Sequence, residues 1–254
     1  MCDGLLNKIK TLYGNFNVSY ENDYLYILYL CNNNYIILNK NTCDIKQCNF
    51  WDKQDKIIII GIEYNSRLKF GFLDINGNEL TPIKYDVYYG FKEGFARVKL
   101  DNKWGFIDTK GNEIVSIKYV NCHDFKEGFA RVKLDNKWGF IDTYGNEIVP
   151  IKYDDCRDFN NGFARVRLDN KWGFIDTNGN EIVSIKYVNC YDFKEGFAIV
   201  KLNNKWGFID TNGIEITPIK YEDCYAFKNG FASVKLNGKW IFIDTNGVEV
   251  VNYQ

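Results

Sequence analysis

The sequence predicts an all-β protein built from tandem units of about 34 residues, and three observations carry that prediction. Tryptophan falls at Trp104, Trp138, Trp172, Trp206 and Trp240, each 34 residues after the last, inside a phrase close to Lys-Trp-Gly-Phe-Ile-Asp-Thr. Phe95, Phe129, Phe163, Phe197 and Phe231 keep the same step. Short runs between them are separated by turn dipeptides, from Asp101-Asn102 to Asn237-Gly238. A strict period of this length means copies of one supersecondary unit laid in series.

Each unit reads as three short strands. Residues 96–100 and 103–108 flank Asp101-Asn102, and Asn237-Gly238 holds the same turn in the last unit. Such dipeptides favour a type I′ hairpin, which needs positive φ at both central positions. Residues 109–112 form a second turn in which Gly111 supplies positive φ. A third strand runs from Glu113 to about Tyr119. A fourth, near residues 121–125, has room to be short. Phe70 stands at the tryptophan position of an earlier copy, and a degenerate copy lies at residues 24–30 and 35–39. Residues 1–20 are expected to be a cap segment, with a short helix over 5–12. Residues 21–254 are expected to be the array, about seven units with the first degenerate.

Side chains alternate faces along a strand. A two-residue loop at Asp101-Asn102 places Lys99 opposite Trp104 and Arg97 opposite Phe106. That face is amphipathic, with basic stems laid over rings and their charges in water. Ala96, Val98, Leu100, Gly105 and Ile107 make the dry face that meets the neighbouring unit, and Gly105 leaves room for a close backbone approach. A longer period is superimposed: Pro82, Pro150 and Pro218 are 68 residues apart, and Val120-Asn121 recurs at Val188-Asn189. The array therefore grew by copying pairs of units.

The Lys-Trp-Gly-Phe-Ile-Asp phrase, the aromatic-Ala-x-Val-Lys run before it and the Gly-Asn-Glu-Ile turn after it resemble the WG-repeat (KWG) family, found mostly in bacterial proteins. The resemblance covers about residues 62–254, with departures at Phe70 and Ile241, both in units near the ends. It implies a β-rich array, usually of unassigned role, and supplies no catalytic residue. Thirty-four residues hold three strands comfortably, whereas a propeller blade usually has four strands and about 40 residues or more. An open or superhelical array is the expected arrangement, with a closed β-propeller as the alternative.

Composition excludes several classes. A 46% hydrophobic and 17% aromatic content supplies a core and excludes disorder. Lys plus Arg (32) balances Asp plus Glu (33), so no charge excess draws nucleic acid or anionic lipid. The amino-terminal residues lack an apolar signal core and no run is long enough for a membrane helix, so a cytoplasmic location with reduced thiols is expected.

Catalytic and metal chemistry finds little footing. His123 adjoins Cys122, but adjacent strand residues point to opposite faces. Cys122, Cys156, Cys190 and Cys224 form a ladder whose steps of roughly 10–14 Å between units exceed the disulfide limit of about 7 Å. Buried apolar packing is the expected role. Cys43 and Cys48, with Cys31 nearby, lack a second matching pair for zinc. The oxygen-rich turn at 176–181 misses the EF-hand order. Arg97, Arg131 and Arg165 form a basic ladder that Ile199 and Ser233 interrupt, and Glu113, Glu147 and Glu181 offset it. No enzyme, no cofactor and no metal site is expected.

The freest slot in the unit holds Tyr89, His123, Arg157, Tyr191 and Tyr225. Strict positions report packing, so a variable slot is expected to face outward, and all these types suit interfaces. The expected function is a non-enzymatic scaffold that binds a protein partner through this stripe. The alternative is a carbohydrate-binding module, lectin-like or cell-wall-binding, that stacks sugars on the aromatic ladder. The ladder residues, Phe70, Trp104, Trp138, Trp172, Trp206 and Trp240, are expected to be structural.

Overall fold

The computed structural model describes Leu6 and residues 17–250, apart from residues 24, 30–33, 42–44, 49, 55 and 65. The helix expected over 5–12 lies outside the described residues except for Leu6, as do Cys31 and Cys43. The chain divides into two compact bodies, residues 1–124 and 125–254. The strands of the described residues form antiparallel sheets with a linear strand order, and none closes into a barrel. No helix among them is long and apolar enough to cross a membrane.

In the first body, Asn17–Glu21, Leu25–Tyr29, Tyr35–Asn39 and Ile45–Cys48 make one sheet, and Phe50–Gln54, Ile57–Tyr64, Arg67–Asp74 and Glu79–Tyr85 the next. The third combines Val87–Tyr88, Phe95–Leu100, Lys103–Asp108 and Glu113–Tyr119. The second body repeats this last pattern. Its central sheet, for example, holds Asp155–Cys156, Phe163–Leu168, Lys171–Asp176 and Glu181–Tyr187. The three expected strands thus gain a fourth of two residues, added antiparallel to the outer side of the first: Asp155 faces Arg167 and Cys156 faces Val166. In the sheet with Phe197–Leu202 and Lys205–Asp210 the third strand is reduced to isolated bridges, Trp206 with Tyr221 and Ile209 with Glu215.

The hairpin register is the expected one, with Lys99 opposite Trp104 and Arg97 opposite Phe106. Asp101 and Asn102 have φ of 48° and 65°, as a type I′ turn requires. The glycine that follows Trp104, Trp138, Trp172 and Trp206 answers a different demand. The third strand bulges between its pairings, so that Trp138 faces Tyr153 and Phe140 faces Val149. The bulge folds onto Gly139, where an added Cβ would lie 2.6 Å from the Val149 carbonyl oxygen and 2.8 Å from the Ile151 Cα. Glu147 fixes this bulge by accepting a hydrogen bond from the Ile151 amide at 3.2 Å.

Packing buries both faces of the inner sheets. In the first body Ala96, Val98 and Ile107 meet Ile57, Ile59, Phe72 and Tyr85 of the preceding sheet. In the second, Phe140, Val149 and Tyr153 meet Cys156, Phe159, Ala164, Val166 and Ile175. The same pairing recurs at the next two joints. The face expected to be amphipathic therefore carries the core residues Phe106, Phe140, Phe174 and Phe208 at its centre and keeps its basic groups at the margin. Each buried Phe contributes roughly 1.5–3 kcal/mol relative to an exposed one. A sheet too small to form its own core is thus stabilised by its neighbours.

Candidate partner-binding face

The variable slot follows the two-residue strand, where the chain turns outward. Tyr89, Tyr191 and Tyr225 are 47%, 51% and 65% exposed, Arg157 is exposed and His123 is half-buried. His123 adjoins the fully buried Cys122, in keeping with opposite facing. Each exposed tyrosine rests against the tryptophan of its own sheet. Tyr89 and Trp104 have ring centroids 5.6 Å apart, Tyr191 and Trp206 5.8 Å, and Tyr225 and Trp240 5.3 Å, all tilted by about 30°. Arg157 replaces the ring in its sheet and lies 5.6 Å from the Trp172 centroid. Basic groups flank the same indoles: Lys99 at 5.6 Å from Trp104 and Lys201 at 4.8 Å from Trp206. Trp138 is buried, Trp104, Trp172 and Trp206 are half-buried, and Trp240 is exposed. Phe70 holds the indole position of its own sheet and lies against Tyr88, at the cysteine position of the next sheet, with centroids 4.9 Å apart.

The basic ladder is spent on joints between sheets. Arg131 donates from Nη1 to the Cys156 carbonyl at 2.7 Å and pairs through Nε with Asp158. Arg165 repeats this with the Cys190 carbonyl at 2.6 Å and Asp192 at 2.5 Å. Arg97 does so with the Cys122 carbonyl at 2.8 Å and Asp124. Sequence reasoning missed this clamp. Its signal was present as Arg and Asp recurring 27 residues apart, and as their joint replacement by Ile199 and Ala226.

The 68-residue alternation has a physical counterpart in two further fastenings. Asp154 accepts from Lys137 Nζ at 2.5 Å and from the Asp169 amide at 2.8 Å. Asp86 does the same with Lys69 and the Asp101 amide. The hydrogen bonds from their lysines hold both carboxyls below the usual range. Val120 and Val188 occupy this place in the alternate units and stay exposed. There, Glu127 and Glu195 reach forward instead, accepting from the turn amides of Asn161 at 2.9 Å and Asn229 at 3.1 Å.

The oxygen-rich turns and the thiols are likewise occupied. Asp176 accepts from the amides of Asn178 at 2.9 Å and Asn180 at 2.8 Å and from the Asn180 side chain at 2.9 Å. Burial opposes its ionisation, but these donors outweigh it and hold the carboxyl below its usual range. Cys122, Cys156 and Cys190 are fully buried, and burial pushes their thiols up to about 12, against a smaller opposing pull from the neighbouring arginine. Cys48 is buried in the first sheet.

Repeated antiparallel sheets with a shared Trp-Gly phrase define a β-repeat protein. The WG containing repeat matches five times in succession, at residues 70–104, 104–138, 138–172, 172–206 and 206–240. The chain belongs to the WG containing repeat family, since these matches cover more than half of it. No curated protein matches the chain. Among solved structures it is similar to the computationally designed Ika8 protein, at 12% identity and a TM-score of 0.38, covering 92% of this chain and 85% of that one. BamB from Moraxella catarrhalis is similar at 10% identity and a TM-score of 0.33, over 92% and 83% of the two chains. The WD40 β-propeller domain of Doa1 is similar at 10% identity and a TM-score of 0.29, over 90% and 96%.

Proposed function

We propose that this chain is a non-enzymatic, cytoplasmic scaffold that binds a protein partner through the row containing Tyr191 and Tyr225. The observation that carries the reading is the pairing of exposure with support. Each tyrosine projects into solvent while its ring leans on the indole behind it. A side chain already held in place loses less entropy on binding than a free one, and exposed tyrosine and arginine are favoured anchors. The non-enzymatic part is supported by the fate of the reactive groups: the arginines clamp sheets, the aspartates close turns and the thiols are buried.

The test is capture from native cell extract with wild type and with the double variant Tyr191→Ala, Tyr225→Ala. The partner is expected to bind at least about 30-fold more weakly to the variant, the loss that two anchor truncations bring, while the circular dichroism spectrum is unchanged. Equal capture by a folded variant removes the row from the argument. The carbohydrate reading rests on Trp240, whose indole is exposed. A glycan panel read by tryptophan fluorescence separates it from the protein-partner reading.

A further inference from the structure

The joint between the Ile199 sheet and the Ala226 sheet lacks its clamp. At three other joints an arginine reaches forward to a backbone carbonyl and a carboxylate. Here Ile199 stands for the arginine and Ala226 for the aspartate, so cation and anion are lost together. A cavity of about 480 Å³ occupies the place, within the range typical of ligand sites. Ile199 and Ala226 line it, with the rings of Tyr191, Trp206 and Tyr225. Cys224 lines it as well, and its carbonyl is the counterpart of the three that accept from an arginine. Asp223 adds a carboxylate and Lys194 an ammonium, while the carboxylate of Asp192 is already paired with Arg165.

We infer that this cavity is a binding site for a guanidinium group, and that its natural occupant is an arginine side chain of a partner protein. The intramolecular arginines give the pose. The Arg97 guanidinium carbon lies 4.1 Å from the ring centroid of Tyr89 and 5.8 Å from that of Trp104, with its Nη1 on the Cys122 carbonyl. Tyr191, Trp206 and the Cys224 carbonyl are the same three groups, three repeats further on. A planar cation stacks on the aromatic rings and donates to the carbonyl. Lysine offers neither the plane nor the fork. The inference deepens the scaffold reading, since Tyr191 and Tyr225 serve both, but the site stands or falls on a small probe alone.

The probe is N-acetyl-arginine N-methylamide, titrated into the full chain and followed by NMR at the Trp206 indole N–H and the Ile199 methyl groups. Saturable shifts are expected, with half-saturation at about 1 mM or below. The neutral isostere N-acetyl-citrulline N-methylamide is expected to bind at least about tenfold more weakly. Ala226→Asp restores the missing carboxylate and is expected to tighten probe binding about tenfold. The double variant Ile199→Arg, Ala226→Asp rebuilds the internal clamp and is expected to abolish probe binding. Absence of saturable shifts up to about 20 mM, equal binding of the citrulline probe, or unchanged affinity in Ala226→Asp each overturns the site. Probe failure with capture still dependent on Tyr191 and Tyr225 removes the guanidinium site and leaves the scaffold reading standing. Probe binding without a captured protein does the reverse.

Discussion

Replacing the Arg131–Asp158 clamp one partner at a time, and then both together, tests how these sheets are joined. Arg131 is 8% exposed, with Nη1 on the Cys156 carbonyl at 2.7 Å and Nε on Asp158. Asp158→Ala leaves a buried guanidinium with one remaining acceptor, and because Asp158 is itself partly exposed the loss costs about 2–3 kcal/mol, below the cost of breaking a fully buried pair. Arg131→Ile leaves the Asp158 carboxylate, whose side chain is 37% exposed and can be hydrated. That change costs about 1–3 kcal/mol, mainly for the carbonyl left without its charged donor and the lost contact with Trp138. The double variant recreates the apolar pair already present at Ile199 and Ala226, so its cost is expected to stay close to that of Arg131→Ile alone. The singles therefore overshoot the double by about 2–3 kcal/mol of coupling. Urea unfolding followed by tryptophan fluorescence measures all four proteins, with equal m-values required for the comparison. Additivity within about 0.5 kcal/mol would refute the clamp as a coupled element.

Gly139→Ala places a methyl against the Val149 carbonyl and the Ile151 backbone and is expected to cost about 2–3 kcal/mol. Gly162→Ala, at φ of 79° but with open space around it, costs about 1–2 kcal/mol. Reversal of that order in urea midpoints counts against the bulge argument. Asp142 and Asp176 have folded-state carboxyl pKa values below their unfolded ones, with burial outweighed by turn donors. Their contribution is full above the unfolded value of about 3.9 and is lost as pH falls through the lower folded value. Stability below pH about 4 should therefore fall less steeply in Asp142→Asn, Asp176→Asn than in wild type. For Cys156 and Cys190 the folded value lies at about 12, above the ordinary 9.0. That contribution is present below about pH 9 and is lost as pH rises towards 12. At pH 8, iodoacetamide labelling of both thiols, read by mass spectrometry, should proceed only at the rate of unfolding. Rapid labelling of the native protein would place them at the surface.

Much of the unit was legible because its rules are local. The Asp101-Asn102 turn fixes the register of Arg97 and Lys99, and alternation then separates Val98 from Trp104. The buried cysteine ladder and the outward turn at Tyr191 follow from the same reasoning. The burial of Phe106 was not legible, since a period-2 pattern assigns a residue to a face without saying what covers that face. Neither was the fate of Arg131. An alternating strand shows where an arginine starts, while its long stem carries the guanidinium to a carboxylate 27 residues on.

The amino-acid sequence by itself determined the repeat length, the strand limits, the hairpin turns and the place of the glycine, because each depends on groups a few residues apart. The tertiary structure alone decided which face becomes core, which charges fasten one sheet to the next, and where a joint is left open at Ile199 and Ala226. Those outcomes depend on side chains brought together by the stacking of whole sheets, and a one-dimensional period carries the spacing of the units without the contacts between them.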